Sequence, residues 1–381
     1  MRDLGDIRDQ IDRIDAQICE LFAQRMACTH EVAEYKRATG KPILDRTRER
    51  TKLADVATKM PPELADYSQV LFSLIMEMSR TSQSAELNAQ SELDGRIREA
   101  IAKTPPLFPQ SAFVACQGVE GAYSQLAADR LFKHATITYL ESFEGVFRAV
   151  DEGLCDFGVL PVENSTAGSV NQVYDLMERH NFSIVRSLRL KVDHQLLALP
   201  GAALAGIRDI YSHQQAISQC RDFLAGLDGV SVHVCENTAA AAKMVAESGR
   251  TDIAALSSRA CAALYNLKTL AKNVQDKNNN YTRFACIAKD LQIYPGADRT
   301  SLMVVTSNTP GSLYKVLTRF YALDINLAKL ESRPIPDSDF EFKFYFDLEC
   351  PVAAPEFARL IASLDDVCED FRYLGSYSEL V

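Results

Sequence analysis

The spacing of apolar residues changes period twice along the 381-residue chain, and each change marks a different kind of element. Between Asp6 and Thr39 there is neither Gly nor Pro, while Gly5 and Gly40 bracket the run. Leu4, Ile7, Ile11, Ile14, Ile18 and Leu21 recur at alternating steps of three and four, the seam of a helix that packs against another helix. At the usual rise this helix is about 50 Å long, more than a lone globular domain uses. A short charged helix over "RTRERTKLADVATKM" follows, and after "PP" a third helix is predicted from about Glu63 to about Ala89. Three helices of such unequal length cannot enclose a core in one copy of the chain, so the pattern predicts an intertwined dimer.

Residues 91–110 end in "KTPPLFPQ", which reads as a proline-rich linker. From Ser111 the order becomes strand, polar turn, helix, repeated through "AFVACQGVEGAYSQLAA", "FGVLPVENSTAGSVNQVYDLM", "IRDIYSHQQAISQCRDFL", "VSVHVCENTAAAAKMVA" and "IAALSSRACAALY". Each segment sets Ser, Thr, Asn or Gly where the strand ends and the helix begins, as α/β domains do. Several helix starts facing one cleft would offer free N–H groups and positive dipole ends to an anion. Neither GxGxxG nor GxxxxGK[ST] occurs, which favours a small carboxylate over a nucleotide. From about Arg299 the order is strand, helix, strand, strand, helix, strand, the βαββαβ plan of a ferredoxin-like module.

The formal net charge of -10 is spread along the chain, which argues against a nucleic-acid partner. The opening "MRDLGDIRDQ" is charged and no apolar run approaches the roughly 18 residues of a membrane span, so a cytoplasmic location is expected. The ten cysteines never form C-x-x-C and most lie in apolar runs, so they read as small core residues. The six histidines form no H-x-x-x-H pair, and neither a metal nor a cofactor is expected.

Arg25 and Lys36 lie three turns apart on the first helix and share a face. Arg8 is about 25 Å along the axis from Arg25, too far for one small ligand to bridge within one copy. In an antiparallel dimer Arg8 of one copy approaches Arg25 of the other, giving two guanidiniums for two carboxylates. Asp45, Arg48 and Glu49 form a one-sided polar set on the second helix, and Ser79 with Gln83 another on the third. Far downstream, "KNNNYTRFACIAKD" delivers Thr282 and Arg283 to the mouth of an apolar strand, where a plain turn needs neither.

The set Arg8, Arg25, Lys36, Asp45, Arg48, Glu49, Ser79 and Gln83 resembles the all-helical chorismate mutase family. "GVEGAYSQLAA", "LPVENSTAGSV", "IYSHQQAISQC" and "NYTRFACIA" resemble prephenate dehydratase, and "GSL" at 311–313 with "ESRP" at 331–334 resembles a phenylalanine-binding ACT domain. The likeness to bifunctional chorismate mutase/prephenate dehydratases spans nearly the whole chain apart from the linker. It implies a multidomain fold: an all-α three-helix mutase that dimerises over 1–90, a linker over 91–110, a two-lobed, periplasmic-binding-protein-like α/β dehydratase over 111–290, and an α+β ferredoxin-like ACT domain over 299–381.

The resemblance also implies chorismate and prephenate as substrates, phenylalanine as effector, a homodimer or larger homo-oligomer, and residue roles. Lys36 and Gln83 would donate to the ether oxygen of chorismate, while the partner's Arg8, Arg25 and Ser79 hold carboxylates. Glu49, with Asp45 nearby, would take the ring hydroxyl, and Arg48 would orient these acids. Thr282 would meet the leaving hydroxyl of prephenate, with Asn164, Ser212 and Gln219 as further contacts. Glu163 and His213 are the titratable alternatives for the proton donor, and Arg283 a carboxylate clamp. Gly311, Ser312, Leu313, Glu331, Ser332, Arg333 and Pro334 would line the effector site. Two other readings share the architecture: a two-lobed carboxylate sensor with an effector module, and an active mutase with a regulatory dehydratase-like domain.

Overall fold

A computed structural model of the chain describes residues 2–87, 92–335, 341–364 and 367–381. It divides into two compact units, residues 1–96 with 303–372 and residues 97–302 with 373–381.

Three helices open the first unit: α1 (Leu4–Thr39), α2 (Arg46–Thr58) and α3 (Pro62–Leu87). The Asp3 carboxylate caps α1 by accepting from the Gly5 N–H, so the helix takes in Gly5. Gly40 ends it at φ 67, a left-handed conformation that glycine adopts without steric cost. The expected helix end near Ala89 and the expected boundary at 90 fall outside the described residues. α1 buries only Thr29 and Ala33. Its seam of Leu4, Ile7, Ile11, Ile14, Ile18 and Leu21 is between 38% and 64% exposed.

The stretch expected to be a linker is helical over most of its length, as α4 (Glu92–Lys103). Ile97 and Ala100, one turn apart in a charged run, are buried, and Thr104 Oγ1 accepts from the Ile293 N–H at 3.0 Å. The prolines begin only beyond these anchors, so the linker reading is corrected for the residues before them.

The strands that follow are β1 (Ser111–Gln117), β2 (His134–Leu140), β3 (Phe157–Asn164), β4 (Gly168–Ser169), β5 (Ser183–Lys191), β6 (Gln195–Ala198), β7 (Asp209–His213), β8 (Ser231–Cys235), β9 (Ile253–Ser257), β10 (Lys268–Ala271), β11 (Tyr281–Ala288), β12 (Arg299–Val305), β13 (Asn326–Pro334), β14 (Phe342–Glu349), β15 (Asp370–Tyr377) and β16 (Glu379–Leu380). One sheet runs β16-β5-β11-β3-β1-β2 with β4 on β3, and a second runs β10-β6-β9-β7-β8. Both faces of the second sheet are covered: Leu196, Ile210 and Leu256 pack on one side, and Leu197 and Ala255 with the helix Thr238–Glu247 on the other. That burial produces the near-continuous apolar runs of a covered sheet. Gly121, at φ +89, turns the chain toward the helix Tyr123–Leu131; a Cβ there would stand 2.8 Å from Cys261 Sγ.

The last module runs β12, helix Ser312–Ala322, β13, β14, helix Pro355–Leu364, β15, with sheet order β13-β14-β12-β15. Phe340, where a strand was expected to start, lies outside the described residues. Among the described residues no disulfide joins the ten cysteines; Cys19 and Cys28 lie exposed on α1, which corrects the core reading for those two. Among the described residues no helix is long and apolar enough to cross a membrane.

Candidate functional sites

In the helical unit, two cations of α1 reach the same two turns of α3. Arg25 Nη1 donates to Ser79 Oγ at 2.5 Å and to the Ile75 carbonyl at 3.4 Å. Lys36 Nζ donates to Gln83 Oε1 at 2.9 Å and to the Ile43 carbonyl at 2.5 Å. Arg25 and Lys36 are about 16 Å apart along α1, whereas Ser79 and Gln83 are about 6 Å apart along α3, so the two charged heads converge. Ser79 and Gln83 are buried, and burial lowers the pKa of Arg25 from its ordinary value, with Cys28 opposing. Desolvated donors of this kind interact strongly with developing negative charge.

The second helix contributes less directly. Asp45 caps α2, accepting from the Arg48 N–H at 2.9 Å. Glu49 is paired with Arg80 of α3, a residue that no local pattern singles out. Arg48 and Arg8 are exposed, so one copy of the chain unites Arg25, Lys36, Ser79 and Gln83 and leaves Arg8 apart.

The α/β unit carries a cleft of about 490 Å³, within the range of small-ligand sites. Its walls include Thr282, Asn164, Gln219 and His213, all expected, and Tyr123, Ser124, His194, Glu236 and Asn237, which were not. The starts of the helices Tyr123–Leu131, Gln214–Gln219 and Thr238–Glu247 all border it; His213 caps the second through the Gln215 N–H and Asn237 the third through the Ala240 N–H, while the first has no side-chain cap, so the positive ends of these helices lie at one cleft.

Strand pairing sets the floor. Thr282 of β11 stands opposite Asn164 of β3, and Asn164 Nδ2 donates to Thr282 Oγ1 at 2.9 Å and to Asn280 Oδ1 at 2.7 Å. Asn164 Oδ1 accepts from the N–H groups of Thr166 and Ala167 at 3.1 and 3.0 Å. Gln219 Nε2 donates to Thr166 Oγ1 at 2.8 Å, and its Oε1 accepts from Asn280 Nδ2 at 2.9 Å. That oxygen also lies 3.0 Å from His194 Nε2, which therefore carries the ring proton. His194 Nδ1 is then a lone pair, buried and without a partner among the described residues. Burial lowers the pKa of His194, against smaller upward contributions from Gln219 and Asp193, and lowers that of His213 as well. His213 Nδ1 accepts from the Gln215 N–H at 3.2 Å, leaving Nε2–H as the ring's donor.

Three expected residues stand elsewhere. The same register that pairs Thr282 with Asn164 sets Arg283 opposite Glu163, and the two form an ion pair at 3.3 Å outside the cleft walls. Arg283 is thus committed to Glu163, not open as a clamp. Ser212 is fully buried and donates to the Leu256 carbonyl at 2.7 Å, tying β7 to β9. In the last module, Gly311 at φ 85 precedes the helix Ser312–Ala322, and the buried Ser312 hydroxyl meets Ser307 Oγ at 2.9 Å and Thr309 Oγ1 at 2.8 Å. Leu313 is half-buried. Strand alternation puts Glu331 and Arg333 on one face of β13 and Ser332 and Pro334 on the other, so the four cannot meet one ligand from the same side.

The family model for chorismate mutase type II matches residues 7–84, and that for prephenate dehydratase matches residues 114–292. A bifunctional chorismate mutase/prephenate dehydratase of Escherichia coli is 31% identical over 97% of this chain and 95% of its own length. A solved structure of prephenate dehydratase in complex with L-Phe from Arthrobacter aurescens is 27% identical, with TM-score 0.64, over 70% of this chain and 89% of that one. Another, GqqA, described as a novel type of quorum quenching acylase, is 34% identical, with TM-score 0.63, over 70% of this chain and 97% of that one.

Proposed function

The chain belongs to the bifunctional chorismate mutase/prephenate dehydratase family, and we propose that its two reactions run at the helical site and the α/β cleft described above. The enzyme rearranges chorismate to prephenate and converts prephenate to phenylpyruvate in phenylalanine biosynthesis, under feedback by phenylalanine. The convergence of Arg25 and Lys36 on Ser79 and Gln83 carries the residue-level reading, because a one-molecule rearrangement needs only shape and charge.

As the ether bond of chorismate breaks, its oxygen gains negative charge. Lys36 and Gln83 donate to it there and lower the barrier, while Arg25 with Ser79 holds a carboxylate. Glu49, held by Arg80, takes the ring hydroxyl. The uncovered seam of α1 favours a second copy of the chain as its cover, since burying each Leu or Ile stabilises by about 1.5–3 kcal/mol. An antiparallel partner brings its Arg8 to the otherwise incomplete site.

In the cleft, prephenate binds with its carboxylates at the helix starts. Asn164 already donates to Thr282 Oγ1, so the Thr282 proton is free to point at the departing hydroxyl. A threonine is too weak an acid to transfer that proton outright; it polarises the C–O bond while carbon dioxide leaves and the ring becomes aromatic. Of the two titratable alternatives, His213 is in the cleft and Glu163 is occupied with Arg283, which favours His213 as the second donor.

The division of labour is mutase in 1–90, dehydratase in 111–290 with a periplasmic-binding-protein-like plan supported by its two sheets, and an ACT regulatory module in 299–381, where the Ser312 turn and β13 receive phenylalanine. Ten cysteines with no disulfide among the described residues suit a reducing compartment such as the cytoplasm. The reading is tested with Lys36→Ala: mutase turnover on chorismate should fall steeply while dehydratase turnover on prephenate stays at the parent value. Mutase turnover within a few-fold of the parent would reject the assignment.

A further inference from the structure

Outside the contacts that the two reactions require, the first unit contains a chain of alternating charges. Arg80 Nη1 pairs with Glu49 Oε1, Arg80 Nη2 lies 3.3 Å from Glu77 Oε2, and Arg319 Nη2 lies 3.1 Å from Glu77 Oε1. Arg319 Nη1 also donates to the Glu77 carbonyl at 3.3 Å. The Arg80, Glu77 and Arg319 side chains are 8%, 4% and 4% exposed, and Glu49, at the open end, is 26% exposed. Glu77 and Arg80 sit one turn apart on α3, whereas Arg319 comes from the helix Ser312–Ala322 of the C-terminal module.

Holding two helices together does not call for such a chain. Burying charges costs desolvation, and well-packed apolar residues at these positions would hold the elements at least as firmly. What the arrangement does accomplish is geometric. The Glu77 carboxylate is shared, one oxygen to each guanidinium, so Arg319 fixes Glu77 and keeps it from drawing both of its oxygens onto Arg80. Arg80 is then left with one arm for Glu49, whose carboxylate is turned and held at the mutase site. We propose that Arg319, acting through Glu77 and Arg80, is a positioning residue for the mutase reaction, so that the C-terminal module completes the order of the N-terminal active site. The inference rests on the assignment of Glu49 to the ring hydroxyl of chorismate.

The charge bookkeeping predicts a sign that mere loss of packing does not. With Arg319→Met, Glu77 is released, both of its oxygens turn to Arg80, and Arg80 is pulled from Glu49. With Glu77→Gln added, the competitor loses its charge and Arg80 returns to Glu49. The full-length Arg319→Met variant should therefore lose about ten-fold or more in mutase kcat/KM, while the Glu77→Gln/Arg319→Met double variant recovers to within a few-fold of the parent. Dehydratase turnover and helix content by circular dichroism, measured on each, report whether the protein is folded. The double variant buries two fewer charges, so it provides the comparison even where the single variant is unstable, and Arg319→Lys, which keeps the charge, should lose less than Arg319→Met.

Parent-like mutase kcat/KM in Arg319→Met, or a double variant as impaired as the single one in folded protein, would overturn the proposal while leaving Glu49 in place. Glu49→Ala separates the two levels. If it leaves mutase kcat/KM unchanged, the assignment of Glu49 fails and the positioning role fails with it; if it is impaired and Arg319→Met is not, only the positioning role fails.

Discussion

Replacing Thr282 by Val keeps the branched shape of a strand residue and removes one oxygen. In the cleft that oxygen accepts from Asn164 Nδ2 at 2.9 Å and has a proton left to donate. Asn164 Nδ2 would keep Asn280 Oδ1 at 2.7 Å and the Tyr281 carbonyl at 3.3 Å, so the substitution strands no buried donor and the network should survive. The loss is then confined to the donor aimed at the leaving hydroxyl. Removing one preorganised donor to developing charge costs about 10²–10³ in kcat, or about 2.7–4 kcal/mol in the barrier. Dehydratase kcat, followed by phenylpyruvate formation from prephenate, should fall by about that factor with KM little changed, because the contact strengthens only as the bond breaks. Mutase activity of the same preparation should stay at the parent value. A raised KM with intact kcat would place Thr282 in ground-state binding, and an unchanged enzyme would refute the role altogether and point to His213.

Three further outcomes follow from the geometry. Arg8→Ala and Arg25→Ala should each be inactive as mutases, and mixing them with subunit exchange should restore about a quarter of the sites, given random pairing across a two-fold interface; an exchanged mixture that stays inactive would contradict the trans contribution. His194 and His213 are held below their ordinary pKa by burial, so the unfolded chain takes up protons first as pH falls. Their stabilisation is present above about pH 6.5 and is lost toward the lowered folded values, by up to about 1.4 kcal/mol per pH unit for His194; urea unfolding should show that slope in the parent and a shallower one in His194→Gln, and equal slopes would reject it. Glu331→Ala or Arg333→Ala should weaken inhibition of the dehydratase by phenylalanine at unchanged basal turnover, and parent-like inhibition in both would move the effector site elsewhere.

The parts of this molecule that were legible in the sequence are those written in local periodicity. The seam from Leu4 to Leu21 announced α1, and the alternation of strand, turn and helix announced the α/β unit, while Asn164 and Gln219 came only through the likeness to prephenate dehydratase. What stayed hidden depends on partners distant in the chain. The Arg283–Glu163 pair follows from the register of β11 on β3, which no local pattern records. The His194 ring joins the cleft network through Gln219, and Asn280 joins it through both Gln219 and Asn164. Arg80 looked like an ordinary helix cation until Glu49, Glu77 and Arg319 closed around it. The helix α4 was masked by the prolines that follow it, since its two buried anchors are too few to set a visible period.

The most direct test of two reactions on one chain starts from chorismate alone. Purified protein incubated with chorismate, sampled over time by chromatography, should show chorismate falling, prephenate rising and then declining, and phenylpyruvate accumulating in its place. Prephenate that accumulates without phenylpyruvate would leave a mutase joined to a regulatory dehydratase-like domain, and chorismate that is bound but not consumed would leave a sensor.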